Sequence, residues 1–307
     1  MPAPLFLSSG DLIADRRYDF AKDLQLRGDL MAAADVMAQA VEQAPGFASA
    51  WFALGEMEEE LNQHGRAIAA YRAALAADPE DRHGATVRLM RLGATELTAM
   101  PPAYVRSLFD QYAPRFDKAL RDDLNYRGPE LLLKAVFAVC RARQRPVRFA
   151  RMIDLGCGTG LAGKTFQPFV DEMIGIDLSP GMIARAEQTG LYARLDVTDM
   201  EAGLCAEPAA SADFVVAADA FVYLGDLTPV LAEISRVLRP GGLLAFTVET
   251  HTAENVILGN ALRYAHGESY IRSALVAASL AVVSLQHAST REDRGAAVPG
   301  LVVVAAR

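Results

Sequence analysis

Short apolar runs alternate with stretches of helical periodicity from residue 147 to residue 307. Runs of this length, bounded by glycine, proline or acidic residues, are typical of buried strands. The intervals between the first five runs are long enough for helical crossovers, which permit parallel βαβ units. The pattern therefore predicts an α/β fold with a doubly wound sheet. The runs lie at 153–155, 172–176, 193–195, 213–217, 243–248, 280–286 and 301–306.

The first hundred residues have a different, purely helical pattern. A shift of 34 residues along the chain brings Ala33 onto Ala67 and Pro45 onto Pro79. A helical repeat of this period resembles the tetratricopeptide unit. Each such unit buries its apolar face only against a neighbour, so the repeats either buttress the rest of the chain or offer a groove to a partner protein. We assign an all-α domain to residues 1–100, with repeats at 14–47 and 48–81 and a cap helix at 82–93.

Met100-Pro101-Pro102 interrupts the helical pattern and marks a boundary. Residues 101–146 then read as a helical linker, with short amphipathic helices at 104–111 and 114–120. A run of arginines precedes the first strand, and such a run is usually a solvated face rather than a nucleic-acid site. These arginines are Arg141, Arg143, Arg145, Arg148 and Arg151.

A glycine-rich segment follows the first strand. Residues 153–160 read Ile-Asp-Leu-Gly-Cys-Gly-Thr-Gly, so glycines alternate at Gly156, Gly158 and Gly160. Glycine lets the backbone turn tightly and approach a ligand closely, because it has no Cβ. The glycines at 158, 160 and 163 also fit the spacing of a dinucleotide-binding loop, so the glycines alone leave the cofactor open.

Asp154, just before the first of these glycines, favours a cationic ligand. In a dinucleotide site the pyrophosphate occupies the loop and the helix N-terminus, where a carboxylate would face like charge. S-adenosylmethionine instead offers an α-ammonium and a sulfonium. A second acid, Asp177, ends the second strand, and a carboxylate there can accept both hydroxyls of an adenosyl ribose.

With these residues in place, residues 147–307 resemble the class I S-adenosylmethionine-dependent methyltransferases. The resemblance implies a Rossmann-like sheet of seven strands, with strand 7 antiparallel, and S-adenosylmethionine as the cofactor. It places Met182 near adenine, and the Asp196 carboxylate and the Val197 N–H on the adenine amine. The cofactor-binding residues that we predict in this part of the chain are Asp154, Gly156, Gly158, Gly160, Asp177, Leu178, Met182, Asp196, Val197 and Asp219.

A second resemblance concerns residues 109–117, Phe-Asp-Gln-Tyr-Ala-Pro-Arg-Phe-Asp. They are similar to a Phe-Asp-x-Tyr-Ala-x-x-Phe-Asp segment that precedes the catalytic domain in bacterial tetratricopeptide-methyltransferase fusions. In those proteins the segment folds over the cofactor as a lid. The resemblance therefore implies that Tyr112 and Arg115 close on the methionine end of the cofactor.

Residues after the fourth and fifth strands are candidates for the acceptor side of the site. They are Tyr223, Glu249 and His251, followed by Arg263, Tyr264, His266 and Tyr270 in a segment predicted to be helical. Arg-Tyr-Ala-His at 263–266 recurs in the fusion proteins, which favours Tyr264 and His266. With His251, which follows the fifth strand, they are the predicted catalytic residues. Methyl transfer requires an in-line nucleophile and exclusion of water. A general base is needed only when the acceptor must lose a proton.

The composition is that of a two-module globular chain. Its 307 residues are 52% hydrophobic, enough for an α/β core with a helical annex. A net charge of −8 opposes binding to nucleic acid. Neither a membrane-spanning run nor a secretory signal is expected. Three cysteines without metal-ligand or disulfide spacing fit a cytoplasmic protein without a metal site.

Three functions therefore stay open at this point. The first is methyl transfer to a small-molecule, peptide or carrier-bound acceptor, with the repeats recruiting a partner or substrate. The second is a non-catalytic protein that senses S-adenosylmethionine and signals through its repeats. The third is a nicotinamide-dependent oxidoreductase, which the literal glycine spacing permits.

Overall fold

The computed structural model describes residues 5–116, 125–293 and 295–307. The chain divides into two compact units, Met1–Ser107 and Leu108–Arg307. The predicted helix at 114–120 extends beyond the described residues, where Asp117 also lies; its described part is a 3-10 turn at Ala113–Arg115. Within the described ranges, every helix is too short or too polar to span a bilayer.

The first unit consists of consecutive helices. Two pairs correspond to the predicted repeats, and the predicted cap helix is shorter than expected. Asp11 and Asp29 cap the first two helices by accepting hydrogen bonds from first-turn N–H groups, as N-cap carboxylates do. The helices are α1 (Leu12–Leu26), α2 (Leu30–Gln43), α3 (Ala48–Glu60), α4 (His64–Ala77), α5 (Ala85–Arg91) and α6 (Pro102–Tyr112), the last of which crosses into the second unit.

Gly55 sets how closely the two helices of the second repeat approach. A Cβ at this position would lie 2.5 Å from the buried ring of Tyr71, whereas a Cβ at Gly65 would meet nothing within 4 Å. We expect Gly55→Ala to lower the free energy of unfolding of the repeats by about 1–3 kcal/mol through overpacking. Gly65→Ala is the matched control and should be neutral or slightly stabilising. Urea unfolding followed by fluorescence of Trp51, the chain's single tryptophan, measures both variants; equal midpoints would contradict the prediction.

The second unit is built on one large sheet. Its main path has the order β3-β2-β1-β4-β5-β11-β8. The first five strands of that path are parallel, and β11 runs antiparallel to both β5 and β8. The strands are β1 (Phe149–Leu155), β2 (Val170–Asp177), β3 (Arg194–Val197), β4 (Ala212–Ala217), β5 (Leu238–Glu249), β6 (Val256–Leu258), β7 (Tyr264–His266), β8 (Ala281–His287), β9 (Glu292–Asp293), β10 (Ala296–Ala297) and β11 (Gly300–Ala306).

Helices cover both faces of this sheet. On one face, side chains of β1, β4 and β11 pack with the helices that follow β3, β4 and β7. On the other face, Phe149 stacks on Phe214 with ring centroids 4.6 Å apart, beneath the helix that precedes β1. The helices are α7 (Gly128–Ala142), α8 (Leu161–Phe166), α9 (Pro180–Glu187), α10 (Met200–Cys205), α11 (Thr228–Val237) and α12 (Glu268–Ala277).

The predicted α/β fold, its antiparallel last pair and the end of the third strand at Asp196 and Val197 are confirmed. One detail differs. Residues 263–266 are not helical, because Tyr264–His266 form β7, which pairs with β6 and touches the end of β5 at Glu249. The pair β6 and β7 adds two strands to the seven of the main path.

Candidate functional site

The glycine loop follows β1 and curls over the end of β2. The N–H groups of Gly156 and Cys157 both donate to the carbonyl of Ile176, at 2.8 and 3.1 Å. Gly158 has φ +54°, and a Cβ there would meet only the ring of Phe116, at 3.7 Å. The space beside Gly158 is therefore open, and a side chain at this position would occupy it at the cost of backbone strain.

Asp177 ends β2 beside this loop. Its Oδ2 accepts a hydrogen bond from the N–H of Gly158 and its Oδ1 accepts one from the N–H of Ser179, both at 2.8 Å. Burial raises the pKa of this carboxyl, and the backbone donors partly oppose the rise. A carboxylate oxygen has two lone pairs, so each oxygen can still accept a bond from a hydroxyl. Asp177 thus organises the loop and keeps capacity for a vicinal diol.

Asp154 lies beneath the glycine loop and is 1% exposed. The hydroxyl of Tyr192 donates to its Oδ2 at 2.7 Å, while its Oδ1 has no hydrogen-bond partner among the described residues. Burial raises the pKa of Asp154 to about 7. A buried carboxylate oxygen without a donor is costly unless a ligand supplies one. Asp154 can therefore accept a hydrogen bond from a ligand, and its predicted contact with a cationic cofactor stays a prediction.

The start of α9 lies next to Asp177. Ser179 accepts a hydrogen bond from the N–H of Met182 at 3.0 Å and caps the helix, and Pro180 is its first residue, as predicted. The side chain of Met182 is buried and Leu178 is half-buried. Leu178 and Met182 lie next to Asp177 at the start of α9, and their cofactor contacts stay predictions.

The two residues predicted for the adenine amine are on β3, beside β2. Asp196 pairs with the guanidinium of Arg194, at 2.9 Å, and Val197 is 49% exposed. The N–H of Thr198, the next residue, donates to the carbonyl of Asp177. This bond holds the end of β3 against the end of β2, where the predicted adenine contacts lie.

The predicted lid segment lies against α9 and the glycine loop. Asp110 Oδ1 accepts hydrogen bonds from Ser179 Oγ at 2.5 Å and from the N–H of Gly181 at 3.0 Å. Arg185 of α9 donates to the carbonyl of Pro114 at 3.2 Å. Phe109 packs edge-on against Tyr223, with ring centroids 5.2 Å apart. The segment is thus fastened to both sides of the crevice.

The two named lid residues differ in exposure. Tyr112 is half-buried, and its hydroxyl is close enough to Arg263 to contribute to the pKa of that guanidinium. Arg115 is exposed on the 3-10 turn after α6. The predicted contacts of Tyr112 and Arg115 with the methionine end of the cofactor stay predictions.

Asp219 follows β4 and is the centre of an ion-pair network. It has a left-handed backbone, with φ +53°. Its carboxylate accepts hydrogen bonds from Thr247 and Thr290 and pairs with Arg291 at 2.9 Å. Arg291 also pairs with Glu249. The carboxylate of this predicted cofactor-binding residue is therefore already engaged within the protein, and its cofactor contact stays a prediction.

The three predicted catalytic residues are dispersed along the region after β5. His251 uses both ring nitrogens within its own loop, through the N–H of Ala253 and the carbonyl of Asn255. Tyr264 and His266 are buried on β7. His266 Nε2 contacts the carbonyl of Leu224 at 2.9 Å, and its Nδ1 has no partner among the described residues. Burial lowers the pKa of His266 to about 4, so the ring is neutral near pH 7.

Sequence reasoning missed several residues that shape the site. Tyr192 and Arg291 belong to no motif, and only long-range contacts reveal the roles of these residues. Tyr192 reaches Asp154 from 38 positions along the chain, and Asp110 reaches Ser179 from 69. The ion pair between Arg291 and Asp219 spans 72 positions. A signal was present only for Asp110, which belongs to the lid segment quoted above.

Comparisons with known proteins assign both parts of the chain. Residues 153–246 match the family model described as a methyltransferase domain, and residues 18–82 match the model described as a tetratricopeptide repeat. The chain therefore carries a methyltransferase domain preceded by tetratricopeptide repeats, which confirms these two predictions, while the lid resemblance of residues 109–117 stays a prediction.

Two curated relatives match parts of the chain. Human methyltransferase-like protein 27 is 32% identical over 146 residues, which cover 47% of this chain and 58% of that protein. The malonyl-[acyl-carrier protein] O-methyltransferase of Enterobacter lignolyticus is 33% identical over 153 residues, which cover 48% of this chain and 55% of that protein. The chain thus spans little more than half the length of these relatives.

Solved structures show the same fold at low sequence identity. The 1,6-didemethyltoxoflavin-N1-methyltransferase of Burkholderia thailandensis, with bound S-adenosylhomocysteine, has a TM-score of 0.51 and 20% identity, over 69% of this chain and 92% of that one. Magnesium protoporphyrin IX methyltransferase of Synechocystis PCC 6803, also with bound SAH, has a TM-score of 0.52 and 16% identity, over 67% of this chain and 99% of that one.

Proposed function

We propose that this protein is an S-adenosylmethionine-dependent methyltransferase. The observation that carries the proposal is a pair of acids, the buried Asp154 and the half-buried Asp177, at the ends of two adjacent parallel strands. Asp154 keeps one carboxylate oxygen without a donor, and Asp177 keeps free lone pairs beside an open glycine loop. Asp154 suits the α-ammonium group of S-adenosylmethionine, and Asp177 suits the two hydroxyls of its ribose. The methyltransferases to which the domain is similar support the same cofactor.

The other cofactor contacts are proposed from position. Met182 would lie under adenine, with Asp196 and the N–H of Val197 at its amine. Leu178 and the three glycines would line the ribose and methionine portions, and Tyr112 and Arg115 would close the crevice from the lid. When bound, the cofactor supplies an electrophilic methyl group on sulfur. The chain's own task is to orient the acceptor in line with that methyl and to exclude water.

On the acceptor side, we propose positioning roles for the three residues on and near β7. His266, which is neutral and buried, would hold the carbonyl of Leu224 and thereby the loop that carries Tyr223. Tyr264 would support the same loop, because its ring would lie only 3.2 Å from a Cβ at Gly225. His251 would order the loop after β5 through its two ring nitrogens. An imidazole with a pKa near 4 is a weak base at neutral pH, which favours positioning over proton removal.

The acceptor would be a small molecule, a peptide or a carrier-bound group. Malonyl-[acyl-carrier protein] O-methyltransferases among the relatives make a carrier-bound acceptor one concrete candidate. The repeats would recruit the acceptor or its carrier. Exposed apolar side chains at Phe20 and Leu26 of α1 and at Met31 near the start of α2 support such a contact, since apolar groups that protrude in this way often mark protein interfaces. A cytoplasmic location fits this function and the free cysteines.

Methyl-labelled S-adenosylmethionine tests the proposal directly. The full-length protein is incubated with the labelled cofactor and a cell extract, which is then separated into small-molecule and protein fractions. We expect label in one fraction with the wild type and a strong loss with Gly158→Ala, whose added Cβ enters the open space beside the loop. Cofactor binding without transfer to any fraction would favour a sensor. Absence of cofactor binding, with binding of a nicotinamide instead, would favour an oxidoreductase.

The pKa of Asp154 predicts a pH dependence of cofactor binding. Below about pH 7 the buried carboxyl is largely protonated, while the cofactor's ammonium favours the ionised form. Cofactor binding should therefore release a proton, and affinity should rise roughly tenfold from pH 5.5 to pH 7, a range in which the cofactor's α-amino group stays charged. Asp154→Asn should bind more weakly and with a flat profile. Calorimetry across this range measures the affinity of each protein for the cofactor, with Asp171→Asn as the control. Parallel plots of affinity against pH for the wild type and Asp154→Asn would contradict the prediction.

A further inference from the structure

Two arginines lie at the edge of the sheet where β4 and β5 end, and they differ in how far the protein neutralises them. Arg291 is 5% exposed and pairs with both Asp219 and Glu249. Asp219 in turn accepts hydrogen bonds from Thr247 and Thr290. The charge of Arg291 is therefore balanced by two carboxylates that are themselves fixed by further donors.

Arg263 has a looser environment. It precedes β7, and its side chain is 27% exposed. Its guanidinium lies 3.7 Å from the carboxylate of Glu249, which is beyond hydrogen-bond distance, and Glu249 already pairs closely with Arg291. Although burial lowers it, the neighbouring Tyr223, Glu249, Asp219 and Tyr112 together hold the pKa of Arg263 above its usual range. The guanidinium is thus a permanent cation to which the described residues offer a carboxylate only at 3.7 Å.

The surroundings of Arg263 place it on the acceptor half of the crevice. Its guanidinium carbon lies 5.7 Å from the ring centre of Tyr223, and Phe109 of the lid packs on the same ring. The loop that carries Tyr223 begins beside the glycine loop, since a Cβ at Gly156 would lie 2.6 Å from that of Ala220. Arg263 therefore faces a space bounded by the lid, the loop after β4 and the end of β5, beyond the acids assigned to the cofactor.

We propose that Arg263 binds a carboxylate group of the methyl acceptor, so that the substrates of this enzyme are carboxylate-bearing molecules. The planar guanidinium can donate two parallel hydrogen bonds to a carboxylate, and its contact with Tyr223 fixes the plane in which it does so. The charges of Arg263, Arg291, Asp219 and Glu249 sum to zero, so a monoanion adds a single negative charge to this cluster. A phosphate dianion would add two negative charges beside Asp219 and Glu249, which disfavours it. This proposal rests on the methyltransferase function proposed above.

Simple anions and their neutral analogues test the proposal on the full-length protein saturated with S-adenosylhomocysteine. Benzoate and hexanoate are compared with benzamide and hexanamide by ligand-observed NMR titration, with phenyl phosphate as a third class. We expect at least one acid to bind roughly tenfold or more tightly than its amide, because the amide lacks the charge-assisted pair. Arg263→Gln should abolish this preference, and Arg263→Lys, which keeps the charge without the fork, should retain part of it.

Two controls separate the possible outcomes. Arg272→Gln removes a half-exposed arginine that pairs with Glu268 on α12 and should leave the preference unchanged. Affinity for S-adenosylhomocysteine should stay within about twofold in Arg263→Gln, because the acids proposed to bind the cofactor, Asp154 and Asp177, lie on β1 and β2. The proposal is overturned if no acid binds better than its amide, if phenyl phosphate binds best, if the preference survives in Arg263→Gln, or if that variant loses cofactor affinity instead. Failure of the wild type to bind S-adenosylhomocysteine would count against the proposed function itself.

Discussion

Asp177→Ala should weaken binding of S-adenosylmethionine by on the order of 100-fold or more. The carboxylate would accept two ribose hydroxyls, and charge-assisted hydrogen bonds contribute about 1.5–3 kcal/mol each. The substitution also removes the acceptor that holds the N–H groups of Gly158 and Ser179, each at 2.8 Å. The glycine loop and the start of α9 would lose their common anchor, so both the contact and its preorganisation would be lost.

The matched control for this variant lies on the same strand. Asp171 is near the opposite end of β2, half-exposed, and pairs with Arg148. Asp171→Ala should leave cofactor affinity unchanged, because a surface ion pair contributes about 1 kcal/mol or less and lies far from the loop. Titration calorimetry measures both variants. Affinity of Asp177→Ala within threefold of the wild type would remove Asp177 from the cofactor site.

The features that the sequence could predict are those that depend on residues close together in the chain. The glycine loop, the acid at the end of β2 and the Ser179-Pro180 helix start each depend on residues within a few positions of one another. Parallel strands bring their carboxyl ends to one edge, so local patterns at the ends of successive strands predict a shared crevice. This is why the glycine loop and the acid at the end of β2 were predictable without the structure, while their contacts with the cofactor stay predictions.

The acceptor half depends on contacts that no local pattern encodes. Tyr264–His266 is too short for its periodicity to separate a strand from a helix, and its pairing with β5 decides its conformation. Asp219 looked like a ligand-binding acid at a strand end, yet Arg291 reaches its carboxylate from far along the chain. A buried carboxylate attracts such a partner in the folded protein, and sequence position alone does not reveal which one.

Another ion-pair cluster, away from the cofactor crevice, is expected to determine the stability of the catalytic unit. Glu207 is 2% exposed and lies just after α10. Its carboxylate pairs with Arg151 of β1 at 2.7 Å and with Arg194 of β3. These two strands lie on either side of β2, so the Glu207 carboxylate links β1 to β3 across it. Arg194 also pairs with Asp196, one of the proposed adenine contacts.

Glu207→Ala should therefore lower the free energy of unfolding of this unit by roughly 3 kcal/mol. Removing one partner of a buried ion pair costs about 3–5 kcal/mol, because the remaining charge loses its compensation; the low end applies here since Arg194 is nearly half-exposed and can reach water. The control is Glu233→Ala, which breaks a partly exposed pair with Arg236 and should cost about 1 kcal/mol or less. Hydrogen exchange of β1 and β2 peptides measures the opening free energy directly. Protection that falls equally in the two variants would show that the Glu207 cluster is no more important than an ordinary surface pair.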